Sequence, residues 1–125
     1  MIKKVLIVED EESIIVSLDF LMRNEGYEVR VAMRGDEVLA CLRDFLPDLI
    51  LLDVMLPRRN GFELCMDIRA NAAWSAMKII MISAKGREAE VQRGLDAGAD
   101  AYVTKPFSTS ELRELVRRLI DGGRE

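Results

Sequence analysis

The sequence predicts an α/β fold, a three-layer doubly wound domain with a five-stranded parallel sheet at its centre. Two observations carry this. Apolar runs of strand length alternate with helical patterns from end to end, and that alternation builds a parallel sheet with helices on both faces. The runs Val5-Leu6-Ile7-Val8, Leu49-Ile50-Leu51-Leu52 and Ile79-Ile80-Met81-Ile82 are also continuously apolar. Strands covered on both faces read that way, whereas a half-exposed strand alternates. Right-handed crossovers are expected throughout.

The first strand is expected over 4–9. A helix over 13–24 follows, with Ile14, Ile15, Leu18, Leu21 and Met22 on one face and Gly26 as its C-terminal cap. Val29 and Val31 anchor a second strand over 28–32. Residues 36–46 carry Val38, Leu42 and Phe45 at helical spacing, and Pro47 stops that helix. The third strand is 48–53. A loop with Pro57 and Asn60-Gly61 leads to a helix near 61–71, with Leu64, Cys65 and Ile68 inward. Residues 78–83 form the fourth strand. Residues 87–97 form a short helix with a thin apolar face, mainly Val91 and Leu95, and 101–104 form the fifth strand. The last helix spans 109–121. Ser108-Thr109-Ser110-Glu111 matches a capping box before it, and Gly122-Gly123 ends it. Its stripe is Leu112, Leu115, Val116, Leu119 and Ile120.

Bulk properties narrow the function. A chain of 125 residues, half of them apolar, suits one domain over 1–125 with one core. No linker, repeat or appended output module is expected. A net charge of −4 argues against nonspecific nucleic-acid binding, which needs a basic surface. No apolar run approaches the ~20 residues that span a bilayer. Only four apolar residues follow Lys4 before Glu9, too few for the core of a signal peptide. The expected location is cytoplasmic. Cys41 and Cys65 form no metal-like pair and read as reduced thiols in helical patterns. The absence of histidine excludes His-based catalysis and His metal ligation in this chain.

The chemistry gathers at strand ends. Asp53 closes an apolar run with a lone carboxylate, and the first run closes in Glu9-Asp10-Glu11. In open α/β sheets ligands bind beyond the carboxyl ends of the strands. Several carboxylates at one rim repel unless a cation or protons are there. Hard oxygen ligands without His or Cys select Mg²⁺ or a similar cation. Ser83 adds a hydroxyl at the end of the fourth strand, and Lys105 adds a fixed positive charge after the fifth. Carboxylates, a hydroxyl and a lysine meet the needs of phosphoryl transfer, with Asp able to act as nucleophile. Singly, each has a plainer reading. Glu9–Glu11 could cap a helix, Asp53 could be an N-cap, Ser83 a strand end, and Lys105 a surface charge. Arg58 and Arg59 read as an exposed loop pair, and the methionines as core filler.

Five motifs occur in order: Val8-Glu9-Asp10-Glu11, Asp53-Val54-Met55-Leu56-Pro57 with Gly61, Ser83-Ala84-Lys85, Gly98-Ala99-Asp100 and Tyr102-Val103-Thr104-Lys105-Pro106-Phe107. In these the sequence closely resembles the CheY-like receiver domains of two-component response regulators, with flavodoxin-like topology. The resemblance runs from Lys4 to about Ile120 and implies strand order 2-1-3-4-5. It implies that Asp53 is the phosphoacceptor and that Mg²⁺ is held by Asp10, by Glu9 directly or through water, by Asp53, and by the backbone carbonyl of Met55. Ser83, the Ala84 amide and Lys105 would hold the phosphoryl group. Ser83 and Tyr102 would form the switch, and the Lys105–Pro106 bond would be cis. Met55 and Lys85 resemble positions that tune phosphate lifetime. The implied partners are a sensor histidine kinase or a histidine phosphotransfer protein and an unspecified downstream effector protein. The signal would leave through the fourth helix, fifth strand and fifth helix, and a phosphorylation-dependent dimer on that face is a further expectation. Such a domain acts on its own aspartate and is not a turnover enzyme. Glu at position 9 and Ser at 83 are the slight departures.

Three other functions compete. A phosphohydrolase with an aspartyl intermediate would carry Asp-x-Asp, but Asp53-Val54-Met55 lacks the second Asp. A flavin binder of this topology needs a phosphate loop after the first strand, where Glu9-Asp10-Glu11-Glu12 would repel phosphate. A metal-independent pseudo-receiver that only docks partners would not need the complete residue set.

Overall fold

The computed structural model of the chain describes residues 1–84 and 86–122. Five strands, β1 (Lys4–Val8), β2 (Glu28–Ala32), β3 (Leu49–Asp53), β4 (Lys78–Ser83) and β5 (Ala101–Thr104), form one sheet. Its order is β2-β1-β3-β4-β5, and every neighbouring pair is parallel. Five α-helices alternate with the strands: α1 (Glu12–Asn24), α2 (Val38–Phe45), α3 (Gly61–Ala70), α4 (Glu88–Asp96) and α5 (Thr109–Gly122). This is the doubly wound architecture and strand order expected above. No described helix is long and apolar enough to cross a membrane.

Successive strand residues point to opposite faces, so the continuous apolar runs feed two cores at once. Leu6, Val8, Ile50, Leu52, Ile79 and Met81 pack with Leu42 of α2 and with Leu64 and Ile68 of α3. Val5, Ile7, Leu49, Leu51, Ile80 and Ile82 pack with Leu18 and Met22 of α1 and with Leu112 and Val116 of α5. Each fully buried aliphatic side chain stabilises by about 1.5–3 kcal/mol. β3 is buried at every residue, as its unbroken Leu-Ile-Leu-Leu run requires.

Element ends differ from the sequence expectation by one or two residues. β1 stops at Val8, although the Glu9 amide still donates to the Ala32 carbonyl at 3.1 Å. A 3₁₀ turn over Gly35–Glu37 precedes α2, which ends with Leu46 in the left-handed region (φ 52°) just before Pro47. Gly26, also left-handed (φ 92°), follows α1 as expected. Ser108 caps α5 by accepting from the Glu111 amide at 3.2 Å. Of the pair expected to end α5, Gly122 is its last described residue and Gly123 lies outside the described residues.

Two expectations are corrected. The inward face of α4 is built from Gly94 and Ala97, while Leu95 is 41% exposed. The helix sits so close to the sheet that a Cβ on Gly94 would lie 2.8 Å from Tyr102 Cδ2 and 3.1 Å from Met81 Sδ. Small residues, not the periodic large ones, therefore make that contact. The methionines are also divided: Met22, Met77 and Met81 are buried, while Met1, Met33, Met55 and Met66 are exposed.

Candidate functional site

The chain leaves β1 for β2 on one side and returns through β3 on the other, so the crevice between β1 and β3 is the topological switch point. Val8 pairs with Leu52 across this junction. The next residues, Glu9 and Asp53, therefore emerge side by side. Both are nearly inaccessible, at 1% and 4% exposure. Asp10 is exposed, yet ligand oxygens of Glu9, Asp10 and Asp53 all lie within 4.8 Å of one another. Lys105, which follows β5, places Nζ 3.3 Å from Glu9 Oε1 and 3.6 Å from Asp53 Oδ1.

Backbone donors orient the carboxylates. Asp53 Oδ1 accepts from the Met55 amide at 3.2 Å, and Glu9 Oε2 accepts from the Glu11 amide at 3.1 Å. Even so, three carboxylates face one ammonium. Burial pushes the Glu9 carboxyl from an ordinary 4.5 up to about 7, with the Asp53 charge adding to the rise. Burial likewise raises Asp53, against the pull of Lys105 and the Met55 amide. The cluster therefore favours either a proton or a cation. Its donors are all hard oxygens, and its outer side at Asp10 is open to water. That suits Mg²⁺, which keeps several waters and takes one or two carboxylates. Glu9, Asp10 and Asp53 are the residues that would hold it.

The remaining candidates surround this cluster. Asp53 pairs with Ile82 in the neighbouring strand, and Ser83, fully buried, comes next and ends β4. The Lys105 amide donates to the Ser83 carbonyl at 2.8 Å, which ties the ends of β4 and β5 together. Ala84 is exposed just beyond. Lys85 lies outside the described residues. Met55 is 58% exposed in the loop after β3. The Lys105–Pro106 peptide bond is cis. Tyr102, opposite Met81 on β5 and half-buried, faces the α4 side.

Some site residues carry roles that sequence patterns did not disclose. In the sequence Gly61 reads as a turn residue and as part of the Asp53–Pro57 motif, with no role of its own. In the structure a Cβ there would lie 2.6 Å from the Asp53 carbonyl and 2.8 Å from Val54 Cα. Its amide donates to the Val54 carbonyl at 2.8 Å. Only glycine lets α3 begin that close to the Asp53 backbone. The N-cap of α3 is Asn60, whose side chain accepts from the Glu63 amide at 2.9 Å. Asp53 is therefore not a helix cap, and the plainer reading of its carboxylate fails. Glu11, part of the same acidic run, does not join the metal-like cluster.

The response regulator receiver domain family matches over residues 5–117. The phosphate regulon transcriptional regulatory protein PhoB of Rhizobium meliloti is 46% identical over 120 residues, covering 96% of this chain and 53% of that protein. This chain thus spans about half the length of that relative. A CheY-like response regulator receiver domain protein from Methanospirillum hungatei superposes with a TM-score of 0.90 at 33% identity, over 98% of this chain and 96% of the other. A chemotaxis response regulator of Vibrio cholerae gives 0.89 at 30%, over 95% and 99%.

Proposed function

This chain belongs to the response regulator receiver domain family, and from that premise we propose that residues 1–125 are one phosphoacceptor domain whose acceptor is Asp53. Receiver domains are signalling switches rather than turnover enzymes. The observation that carries the assignment is the Glu9–Asp10–Asp53 cluster with Lys105 against two of its members.

In the proposed step an Asp53 carboxylate oxygen attacks the phosphorus of a partner's phosphohistidine. An O–P bond forms, the P–N bond breaks, and its electron pair stays on the imidazole, which takes a proton. Bound Mg²⁺ would offset the charge on the phosphoryl oxygens. Lys105 supplies a fixed cation beside the acceptor, and the Met55 amide holds Asp53 Oδ1 in place. The Met55 carbonyl is assigned to the metal. The Ser83 hydroxyl and the Ala84 amide are assigned to the arriving phosphoryl group. Phosphorylation would add charge and acceptor oxygens beside Ser83 and Lys105, and differential contacts to phosphate can shift the population between two packings.

The partner is a sensor histidine kinase or a histidine phosphotransfer protein, and the setting is cytoplasmic. The readout is assigned to the α4–β5–α5 face, with Tyr102 as the switch aromatic. A cleft of about 310 Å³ between β5 and α5, lined by Tyr102, Phe107, Leu112 and Leu115 among others, supports that placement. A phosphorylation-dependent dimer would use the same face. A relative that is a transcriptional regulatory protein twice as long supports an output through a DNA-binding effector.

The test is intact-mass spectrometry after incubation with Mg²⁺ and a small acyl-phosphate donor. The expected result is a labile gain of one phosphoryl group, absent from Asp53→Asn and absent without Mg²⁺. No gain by the folded protein would favour a metal-independent docking module. Rapid turnover of added phosphate esters would favour a phosphohydrolase.

A further inference from the structure

The loop between β3 and α3, residues 54–60, carries Met55 and is held from outside the acidic cluster. Arg58 in this loop has φ 78°, in the left-handed region that L side chains rarely adopt. Such a conformation persists only where the surroundings over-determine it. Two neighbours do so. On one side Arg59 pairs with Asp67 and Glu63 of α3. On the other, the turn at Gly35 presses against the loop. The Gly35 amide donates to the Pro57 carbonyl at 3.3 Å. A Cβ on Gly35 would lie 2.7 Å from Arg59 Cβ and 3.2 Å from both the Arg59 nitrogen and carbonyl oxygen. Asp36 then accepts from Arg34 Nε at 3.1 Å and pairs with Arg58 Nε at 3.7 Å.

We propose that the Gly35–Asp36 turn is a clamp on the acceptor loop, with Gly35 a positioning residue for the chemistry at Asp53. Gly35 is not part of the Glu9–Asp10–Asp53 cluster. It acts through Pro57 and Arg59, which fix the path of the loop between Met55 and the start of α3. The glycine is needed because the root of the Arg59 side chain and its backbone, not a flexible tip, occupy the space of a Cβ. The inference rests on the reading of Asp53 as acceptor for its kinetic consequence, and on geometry alone for the clamp.

Gly35→Ala tests it. Without Mg²⁺ or donor, hydrogen exchange of the 54–60 amides should speed up while exchange in β1, β3 and β4 is unchanged. Mg²⁺ affinity and the acyl-phosphate phosphorylation rate should each fall roughly tenfold to a hundredfold, as on loss of an outer-shell support. Should Gly35→Ala fail to fold, Asp36→Ala removes the Arg58 pairing without added bulk, and it should loosen 54–60 in the same place. Unchanged exchange at 54–60, or faster exchange spread evenly over the chain, overturns the clamp. If the wild type takes up no phosphoryl group, the acceptor reading falls by itself, and the exchange and Mg²⁺ measurements still decide the clamp.

Discussion

Glu9 and Asp53 are two almost inaccessible carboxylates sharing one lysine, and that arrangement makes the site sensitive to pH. A carboxyl whose pKa is higher folded than unfolded binds protons preferentially in the folded state. Glu9 rises from 4.5 to about 7. Its contribution to metal-free stability is therefore fully present below pH 4.5 and is lost as pH rises through about 7. A cation competes with those protons. Thermal unfolding from pH 5 to 8 should show the stabilisation by Mg²⁺ growing with pH, small at 5 and largest at 8. A Mg²⁺ effect that does not vary with pH would count against the cluster as its site. For the same reason Asp53→Asn removes one of the repelling charges. In metal-free denaturant titrations at pH 7.5 that variant should be more stable than the wild type, and a loss of stability would contradict the electrostatic account.

At the scale of elements, α4 meets the sheet through small residues rather than large ones. It has no side-chain N-cap, and its inward face is Gly94 and Ala97. Sequence periodicity pointed to Val91 and Leu95 because they are its large apolar residues. The structure uses the small ones because β5 and Tyr102 come so close. Helix propensity alone predicts that Gly94→Ala stabilises by ~1 kcal/mol. The contact at 2.8 Å with Tyr102 Cδ2 predicts the reverse. Overpacking of this kind costs about 1–3 kcal/mol and outweighs the propensity gain. Chemical denaturation of Gly94→Ala should therefore show a net loss of stability, with the fluorescence or NMR signals of Tyr102 displaced. A net gain would mean that α4 yields without resistance.

At the scale of the whole molecule, the two ends of the sheet have different tasks. The carboxyl ends of the strands carry the acidic cluster. At the opposite end of β4, Arg69 of α3 donates to the Met77 carbonyl at 2.7 Å, the Gly98 carbonyl at 2.8 Å and Asp100 Oδ2 at 2.8 Å. Asp100 Oδ2 also accepts from the Ile79 amide at 2.8 Å. One guanidinium thus joins α3, the entry to β4 and the turn after α4. Arg69→Ala should cost about 2 kcal/mol, the scale for losing partly buried hydrogen bonds from a charged group. Because the stitch lies away from the cluster, Mg²⁺ affinity at Asp53 should stay within a few-fold of wild type. A large loss of Mg²⁺ binding by a folded Arg69→Ala would show the two ends to be coupled.

The sequence by itself determined the number and order of the βα units, because runs such as Leu49–Leu52 can be buried only in a sheet covered on both faces. It also determined which polar residues stand at the strand ends: Glu9, Asp10, Asp53, Ser83 and Lys105. A polar residue that closes an apolar run is visible without knowing its neighbours. Only the tertiary structure decided how far those residues stand from one another, and so placed Lys105 against both Glu9 and Asp53. It alone decided that α4 packs through Gly94, that Gly61 admits the Asp53 backbone, and that Gly35 admits Arg59. Those are close approaches between elements remote in sequence. Periodicity reports the apolar face of one element, whereas a missing Cβ has meaning only once the atom that would strike it is known.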